Sequence, residues 1–245
     1  MLNPVSIKSY ECRVTASIGI AMFPEDAPEA ATLMKRADMA MYLAKEEGKN
    51  NFQFYSAIVT PLSVERIVLE THIINALQRN EFSIQYQPKI EIATGRICGV
   101  EALLRWRNPQ LGNVPPSAFI SVAEDTGLIV PIGKWVLRTA CAQGVAWRRL
   151  GLPALGMAVN LSPRQFKDPG LALDVTEALR ESGMEARLLE LEITEGMIMN
   201  SIDQAVQMAT AIKRLGVRLA IDDFGTGYSS LSQLKRFPLD TLKID

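Results

Sequence analysis

Histidine and cysteine are scarce in this sequence, and their scarcity excludes several kinds of active site. His72 is the only histidine among 245 residues, and it lies in a run with helical spacing, which favours a place on a helix face over a catalytic role. The three cysteines, Cys12, Cys98 and Cys141, are far apart and form no Cys-x-x-Cys pair, so we expect small buried side chains and no disulfide framework. A zinc site of the usual His/Cys type cannot be assembled from this set. A bound metal would need oxygen ligands, which are typical of magnesium or manganese sites.

An excess of charge and a long apolar run are also missing. The 26 basic and 27 acidic side chains leave a formal net charge of −1, which argues against binding of a DNA or RNA polymer through its phosphates. No apolar stretch approaches the roughly 18 residues that a membrane helix needs, and residues 1–20 contain no secretory signal. We therefore expect a cytoplasmic protein whose segment makes no contact with a membrane.

The composition is that of an ordinary globular protein. Apolar residues make up 48% of the chain and charged residues 22%, enough to bury a sizeable core. The spacing of apolar residues predicts a helix over 30–47 and a short aromatic strand over 52–55. A further helix over 64–79, capped by Ser63, is expected to connect this part to the rest of the chain.

From residue 82 onward, strand and helix patterns alternate. Strands are expected at 82–87, 96–105, 157–161, 188–193, 218–222 and 241–245, and helices at 116–124, 132–149, 170–181, 202–215 and 229–236. This alternation predicts a mainly parallel sheet of right-handed βα units, with apolar strands buried on both faces. The turn at Thr94-Gly95 is too short for a crossover helix, so the first two strands should be antiparallel.

Polar residues lie at the ends of several of these strands and within two others. They are Glu101, Asn160, Glu192, Asp222, Asp223 and Lys243. Because the carboxyl ends of the strands in a parallel barrel converge on one mouth, we expect these side chains to meet there. Four carboxylates at close quarters repel one another unless cations lie between them. One or two oxygen-bound metal ions would remove this repulsion and activate a water for a phosphoryl displacement, with Lys243 orienting that water.

Longer motifs surround these residues and run in order along about residues 80–245. They include Tyr86-Gln87-Pro88, Glu101-Ala102-Leu103-Leu104-Arg105-Trp106, Val159-Asn160-Leu161-Ser162, Leu191-Glu192-Ile193-Thr194-Glu195, Asp222-Asp223-Phe224-Gly225-Thr226-Gly227 and Lys243-Ile244-Asp245. In these motifs the sequence resembles the EAL-domain family of cyclic di-GMP phosphodiesterases. The resemblance implies a TIM-like (βα) barrel that hydrolyses cyclic di-GMP to linear pGpG, by a metal-activated water, in bacterial second-messenger signalling.

The resemblance also implies a metal site and a catalytic pair. The implied ligands of Mg²⁺ or Mn²⁺ are Glu101, Asn160, Glu192, Asp222 and Asp223. Lys243 is expected to assist the water nucleophile, so that Lys243 and Glu101 are the implied catalytic residues.

Three further residues have implied roles around this centre. Gln87 and Arg105 are expected to contact the substrate, Arg105 by pairing with a phosphate. Glu195 is expected to steady the mobile loop that follows the Asp222-Asp223 pair. Members of this family often dimerise, so a homodimer is a further expectation.

Residues 14–56 resemble a second family, the C-terminal end of a GGDEF (diguanylate cyclase) domain. The similarity rests on Ser17-Ile18-Gly19-Ile20-Ala21, Ala37-Asp38, Ala40-Met41-Tyr42 and Ala44-Lys45. The Gly-Gly-Asp/Glu-Glu-Phe signature is missing, so cyclisation of GTP is not expected of this segment. The expected organisation is a small α+β GGDEF remnant over 1–60, a linker helix over 61–80 and an EAL domain over 81–245.

The expected barrel is incomplete. A full barrel has eight strands in about 250 residues, whereas residues 81–245 supply about six strands. We therefore expect an α/β chain truncated at both ends, with a TIM-like barrel that is incomplete at its C-terminal end and has one antiparallel strand. Two functions stay open at this point: an active phosphodiesterase, and a catalytically inactive module that binds cyclic di-GMP or a protein partner.

Overall fold

The chain divides into two compact units between Thr71 and His72 in a computed structural model. The structure describes residues 5–7, 10–12, 16–46, 50–56, 60–199, 202–225 and 237–244. Within those residues, none of the helices combines the length and the apolar character needed to cross a bilayer.

The first unit is a small α+β assembly. Its elements are β1 (Val5–Ile7), β2 (Tyr10–Cys12), β3 (Ile18–Ile20), α1 (Ala30–Glu46) and β4 (Phe52–Phe54). Strands β1 and β2 pair antiparallel, and β3 and β4 pair parallel. Helix α1 packs closely on β3 because Gly19 has no side chain: a Cβ added there would lie 2.0 Å from the carbonyl oxygen of Ala37. The helix and the aromatic strand predicted in this part are confirmed.

Helix α2 runs from Thr60 to Ile73 and is followed by turns that extend to Asn80. The helix predicted over 64–79 is therefore present but begins earlier and ends sooner, and Ser63 lies inside it instead of capping it. His72 lies in its last turn, where Nδ1 is 3.4 Å from Nδ2 of Asn108, so the expected place on a helix is confirmed. The exact division into remnant, linker and EAL domain stays a prediction.

The second unit is built on a seven-stranded sheet. Its strands are β5 (Phe82–Glu91), β6 (Arg96–Asn108), β7 (Gly112–Val114), β8 (Gly156–Asn160), β9 (Leu189–Thr194), β10 (Arg218–Phe224) and β11 (Thr241–Ile244). The strand order is β11-β10-β9-β8-β6-β5, with β7 paired to β6. Strand β5 is antiparallel to β6, and the pairs from β6 through β8, β9 and β10 to β11 are parallel.

This topology confirms the predicted α/β fold with a first antiparallel strand. Gly95, with a φ of +67°, closes the short turn between β5 and β6, and its N–H donates to the carbonyl oxygen of Glu91 at 2.8 Å. Over the part of the chain that the structure describes, β5 and β11 are the two ends of the sheet and do not pair with each other. An open, mainly parallel sheet of this kind is consistent with an incomplete barrel.

Six α-helices lie among the strands in the described residues of this unit. They are α3 (Pro116–Thr126), α4 (Ile129–Arg149), α5 (Pro163–Phe166), α6 (Leu171–Ser182), α7 (Glu195–Met199) and α8 (Ile202–Arg214). The long helices match the predicted ones, whereas the helix predicted at 229–236 lies outside the described residues. The short α5 was not predicted, although a capping box marks its start. The side chain of Ser162 accepts a hydrogen bond from the N–H of Gln165, and the side chain of Gln165 accepts one from the N–H of Ser162.

The fully buried apolar side chains of β9 lie on one face of that strand. Leu189, Leu191 and Ile193 of β9 are fully buried. The alternate residues Glu190 and Glu192 point to the opposite face, because successive side chains of a strand alternate. The prediction that the strands are apolar on both faces is therefore wrong for β9, whose inner face is charged.

The cysteines differ in their environments. Cys141 on α4 is buried as expected, and burial raises the pKa of its thiol to about 12. Cys98 is exposed, so the expectation of a buried side chain is wrong there. The side chain of Cys12 lies outside what the structure describes.

We expect Leu191→Ala to lower the free energy of unfolding by about 2–5 kcal/mol, because it removes a fully buried side chain from the centre of the sheet. The control is Leu173→Ala on α6, where the side chain is 61% exposed and the change should stay within about 0.5 kcal/mol. Urea denaturation followed by circular dichroism measures both values. Similar losses for the two variants would contradict this placement of the core.

Candidate active site

A cluster of carboxylates surrounds one lysine on the inner face of the sheet. Nζ of Lys243 lies 2.6 Å from Oε2 of Glu192 and 2.9 Å from Oδ2 of Asp222. It is also 3.4 Å from Oε2 of Glu101. Oε1 of Glu101 accepts a hydrogen bond of 2.7 Å from Nδ2 of Asn160. The structure thus joins residues of five different strands, all of them named by the sequence analysis, into one connected group.

The register of the sheet places these side chains on a common face. Asn160 is the partner of Glu192 between β8 and β9, and Gln87 is the partner of Glu101 between β5 and β6. Residues that pair in register project from the same face of a sheet. The cluster is therefore positioned by the strands themselves, which hold it more rigidly than loops would.

The Asp222-Asp223 pair lies at an irregularity of β10. The register between β10 and β11 shifts between Ile221 and Phe224, and Asp223 has a left-handed backbone with a φ of +53°. Such a conformation is uncommon for a residue with a side chain, although aspartate adopts it more readily than most. The N–H of Asp223 donates to Oδ1 of Asp222 at 3.0 Å, which leaves Oδ2 for Lys243. Asp222 therefore belongs to the cluster, while Asp223 is exposed beside it.

Lys89 on β5 is a second cation of the site, and the sequence analysis missed it. Its Nζ lies 2.6 Å from Oε1 of Glu192 and 3.3 Å from Oε1 of Glu190. Glu190 was also missed; its Oε2 accepts a hydrogen bond of 2.9 Å from Thr241 and lies 3.6 Å from Nη2 of Arg218. The alternation of side chains supplied a signal, because Lys89 and Glu190 each stand two residues from a recognised site residue of the same strand.

Ion pairing raises the pKa of both lysines. Burial lowers the pKa of Lys243, but hydrogen bonds to Asp222 and Glu192 and the charges of Glu192 and Glu101 outweigh it, so that the pKa lies above its usual value. Burial likewise lowers the pKa of Lys89, and the hydrogen bonds and charges of Glu192 and Glu190 more than reverse this. Lys243 therefore keeps its proton at neutral pH, so it can donate hydrogen bonds to a water or a phosphate but cannot accept a proton from either.

The chemistry of this donor set suits a hard divalent cation. Glu101, Asn160, Glu192 and Asp222 offer only oxygen ligands, the kind that magnesium and manganese prefer. As they stand, the described residues contain no group of three or more His, Cys, Asp or Glu side chains arranged to hold a metal ion. The ammonium of Lys243 contacts Glu101, Glu192 and Asp222 in this structure.

The charges around the cluster do not balance. Among the residues that the structure describes, the ion pairs of this cluster join four carboxylates to three cationic side chains. The carboxylates are those of Glu101, Glu190, Glu192 and Asp222, and the cations are Lys89, Lys243 and Arg218. The surplus negative charge is the feature that would attract a further cation.

The three residues expected to bind substrate or steady a loop lie around the cluster. Arg105 donates from Nε to Oε1 of Gln85 and from Nη1 to the carbonyl oxygen of Leu104, both at 2.8 Å. Gln85, which the sequence analysis missed, therefore fixes one edge of this guanidinium. Gln87 is exposed on β5, opposite Glu101. Glu195 is buried at the start of α7 and accepts a hydrogen bond of 3.2 Å from the N–H of Gly225.

Glu195 thus contacts Gly225, the residue that follows β10. Residues 226–236 lie outside the described part of the chain, so the steadying role of Glu195 stays a prediction.

Two cavities border the cluster. One, of about 430 Å³, is lined by residues that include Gln87, Lys89, Glu101, Glu190, Thr241 and Lys243. The other, of about 390 Å³, is lined by residues that include Leu103, Arg105, Ile120, Asn160, Thr194 and Met197. Glu101 of the first cavity and Asn160 of the second are hydrogen-bonded to each other.

Comparison with known proteins identifies two families in this chain. Residues 71–245 match the EAL domain family, and residues 1–51 match the family described as diguanylate cyclase, GGDEF domain. The bifunctional diguanylate cyclase/cyclic di-GMP phosphodiesterase MucR of Pseudomonas aeruginosa is 43% identical over 243 residues, which are 99% of this chain and 36% of that protein. The cyclic di-GMP phosphodiesterase PdeR of Escherichia coli is 38% identical over 242 residues, with the same two coverages.

A solved structure supports the fold directly. The MucR phosphodiesterase in complex with c-di-GMP superimposes with a TM-score of 0.70 at 45% identity, covering 73% of this chain and 72% of that one. Both resemblances stated from the sequence, and the α/β barrel-like fold, are thereby confirmed. The chain spans only about a third of the length of the MucR and PdeR proteins.

We expect Lys243→Met to destabilise the protein in the presence of a chelator, because it leaves three carboxylates without their shared ammonium. The loss should be about 2–4 kcal/mol, and millimolar Mg²⁺ should restore more stability to this variant than to the unsubstituted chain. The control is Lys213→Met, which breaks a partly exposed ion pair with Asp240 alone and should cost about 1 kcal/mol or less. Thermal unfolding with EDTA or MgCl₂ gives the comparison, and an equal response of both variants to Mg²⁺ would contradict the site.

Proposed function

Because this chain belongs to the EAL domain family, we propose that it binds cyclic di-GMP and hydrolyses it to linear pGpG in a metal-dependent reaction. The observation that carries the proposal is the convergence of Glu101, Glu192 and Asp222 on one point of the sheet's inner face. Hydrolysis of a phosphodiester requires a positioned water and stabilisation of charge on the phosphate oxygens. Converging oxygen ligands next to cationic side chains provide for both.

The proposed ligands of Mg²⁺ or Mn²⁺ are Glu101, Asn160, Glu192, Asp222 and Asp223. When bound, the ion supplies a Lewis acid for the phosphate and lowers the pKa of a coordinated water. The fit rests on the all-oxygen donor set and on the surplus negative charge of the cluster.

The cationic side chains have complementary tasks in this proposal. Lys243 keeps its proton, so it orients the attacking water or a phosphate oxygen by donating hydrogen bonds. Arg105 is held by Gln85 and by the carbonyl oxygen of Leu104, and its guanidinium would pair with a phosphate. Gln87 lies opposite Glu101 and would contact the substrate from β5.

The names of the relatives support the substrate. MucR and PdeR are both named as cyclic di-GMP phosphodiesterases, and the MucR structure contains c-di-GMP. A cytoplasmic location and a homodimer stay predictions.

We expect the chain to convert cyclic di-GMP to pGpG with Mg²⁺ or Mn²⁺, and chelator to abolish the product in a chromatographic assay. Glu101→Ala should lower kcat/KM at least 100-fold, because it removes a proposed ligand of the ion. The control is Glu181→Ala, an exposed carboxylate on α6, which should leave turnover unchanged. Unchanged turnover in Glu101→Ala would refute the assigned ligand.

A second candidate function is binding of cyclic di-GMP without turnover. The position of Lys243 among the carboxylates favours it, because this ammonium competes with a divalent cation for the same oxygens.

Calorimetric titration with cyclic di-GMP separates the two functions. We expect Arg105→Ala to weaken binding about tenfold or more, because it removes a charge-assisted contact to phosphate. In a pure binding module Glu101→Ala should bind the nucleotide nearly as well as the unsubstituted chain. Full affinity in Arg105→Ala would remove this residue from the substrate site.

A further inference from the structure

Glu192 is held from two sides by two different lysines. Oε1 lies 2.6 Å from Nζ of Lys89, and Oε2 lies 2.6 Å from Nζ of Lys243. The side chain of Glu192 has no exposed surface. The two lysines come from β5 and β11, which are the two ends of the described sheet, and both reach the central strand β9.

The two lysines differ in what else they contact. Lys243 is shared with Glu101 and Asp222, so it lies inside the cluster that would take up a divalent cation. Lys89 contacts the other oxygen of Glu192, and its second ion pair is with Glu190. Glu190 has its own partners in Thr241 and Arg218, so Lys89 need not leave Glu192 in order to neutralise Glu190.

We propose that Lys89 is a positioning residue, which engages Oε1 of Glu192 so that Oε2 alone faces Glu101 and Asp222. The proposal rests on the proposed function, since it assigns to Lys89 the orientation of a metal ligand. A residue behind a metal ligand commonly fixes the ligand's orientation, and losing it weakens metal binding about 10–100-fold.

A simple charge effect would have the opposite sign. If Lys89 acted only through its positive charge, its removal would strengthen binding of a divalent cation, because a nearby repulsion would be lost. If Lys89 orients Glu192, its removal frees the carboxylate to rotate, and binding weakens. The direction of the change therefore distinguishes the two roles.

The test measures Mn²⁺ affinity without substrate, by titration calorimetry or by the electron paramagnetic resonance of free Mn²⁺. We expect Lys89→Met to bind Mn²⁺ about 10–100-fold more weakly than the unsubstituted chain. Lys89→Arg, which can still donate to Oε1, should bind more tightly than Lys89→Met. Binding by Lys89→Met that is as tight as in the unsubstituted chain, or tighter, would overturn the proposal.

Two controls separate positioning from other effects. Glu190→Gln removes the other partner of Lys89 and should change Mn²⁺ affinity far less than Lys89→Met does. Leu137→Ala removes a buried side chain of α4 and should lower the melting temperature while leaving Mn²⁺ affinity unchanged.

Folding of the variant must be verified by circular dichroism, because Lys89→Met leaves a buried carboxylate with one partner fewer. Should it not fold, the double variant Lys89→Met/Glu190→Gln removes one negative charge as well and decides the question by the same Mn²⁺ measurement. Mn²⁺ binding by the unsubstituted chain without hydrolysis of cyclic di-GMP would contradict the proposed function alone. Absence of Mn²⁺ binding by the unsubstituted chain would overturn the role of Lys89 too.

Discussion

The buried carboxylate of Glu192 is the constraint on which the rest of the site depends. Its side chain has no exposed surface, so its charge must be neutralised inside the sheet or cost several kcal/mol of stability. Lys89 and Lys243 neutralise it, and they come from the two end strands of the described sheet. Both lysines can reach the central strand only if the sheet curves strongly. Neutralising Glu192 therefore requires the same curvature that gives the sheet its barrel-like shape.

The side chains of β9 alternate between the apolar core on one face and the charged cluster on the other. Leu189, Leu191 and Ile193 are buried in the core on one face, and Glu190 and Glu192 form the charged inner face. The apolar face stabilises the fold by burial, whereas a cation near the inner face lowers the repulsion among its carboxylates. A single strand of six residues thus anchors the fold and carries the centre of the site.

The residues that meet because of strand order could be predicted from the sequence. The contacts that depend on the curvature of the sheet could not. Parallel βα units bring strand ends together whatever their exact shape, so Glu101, Asn160, Glu192, Asp222 and Lys243 could be expected to meet. Which lysine faces which carboxylate across the sheet depends on how far β5 bends towards β9, and no local pattern records that distance, so Lys89 was missed. The short elements β7, α5 and α7 span five residues or fewer, too few for a periodicity to develop.

The position of Lys243 links the two candidate functions, hydrolysis with a bound metal ion and nucleotide binding without turnover, because Lys243 contacts the carboxylates that are proposed to bind the metal. Its ammonium attracts the same three carboxylates that the proposed divalent cation would attract. Metal binding must therefore outweigh the ion pairs that Lys243 gives up, and its apparent affinity is the difference between the two. Under the proposed function, the metal ion takes over the three carboxylates and Lys243 contacts water or phosphate. Under the second candidate function, Lys243 keeps the carboxylates and the site holds nucleotide without cleaving it. The two proposals therefore differ in which cation, the ammonium or the divalent ion, the three carboxylates bind.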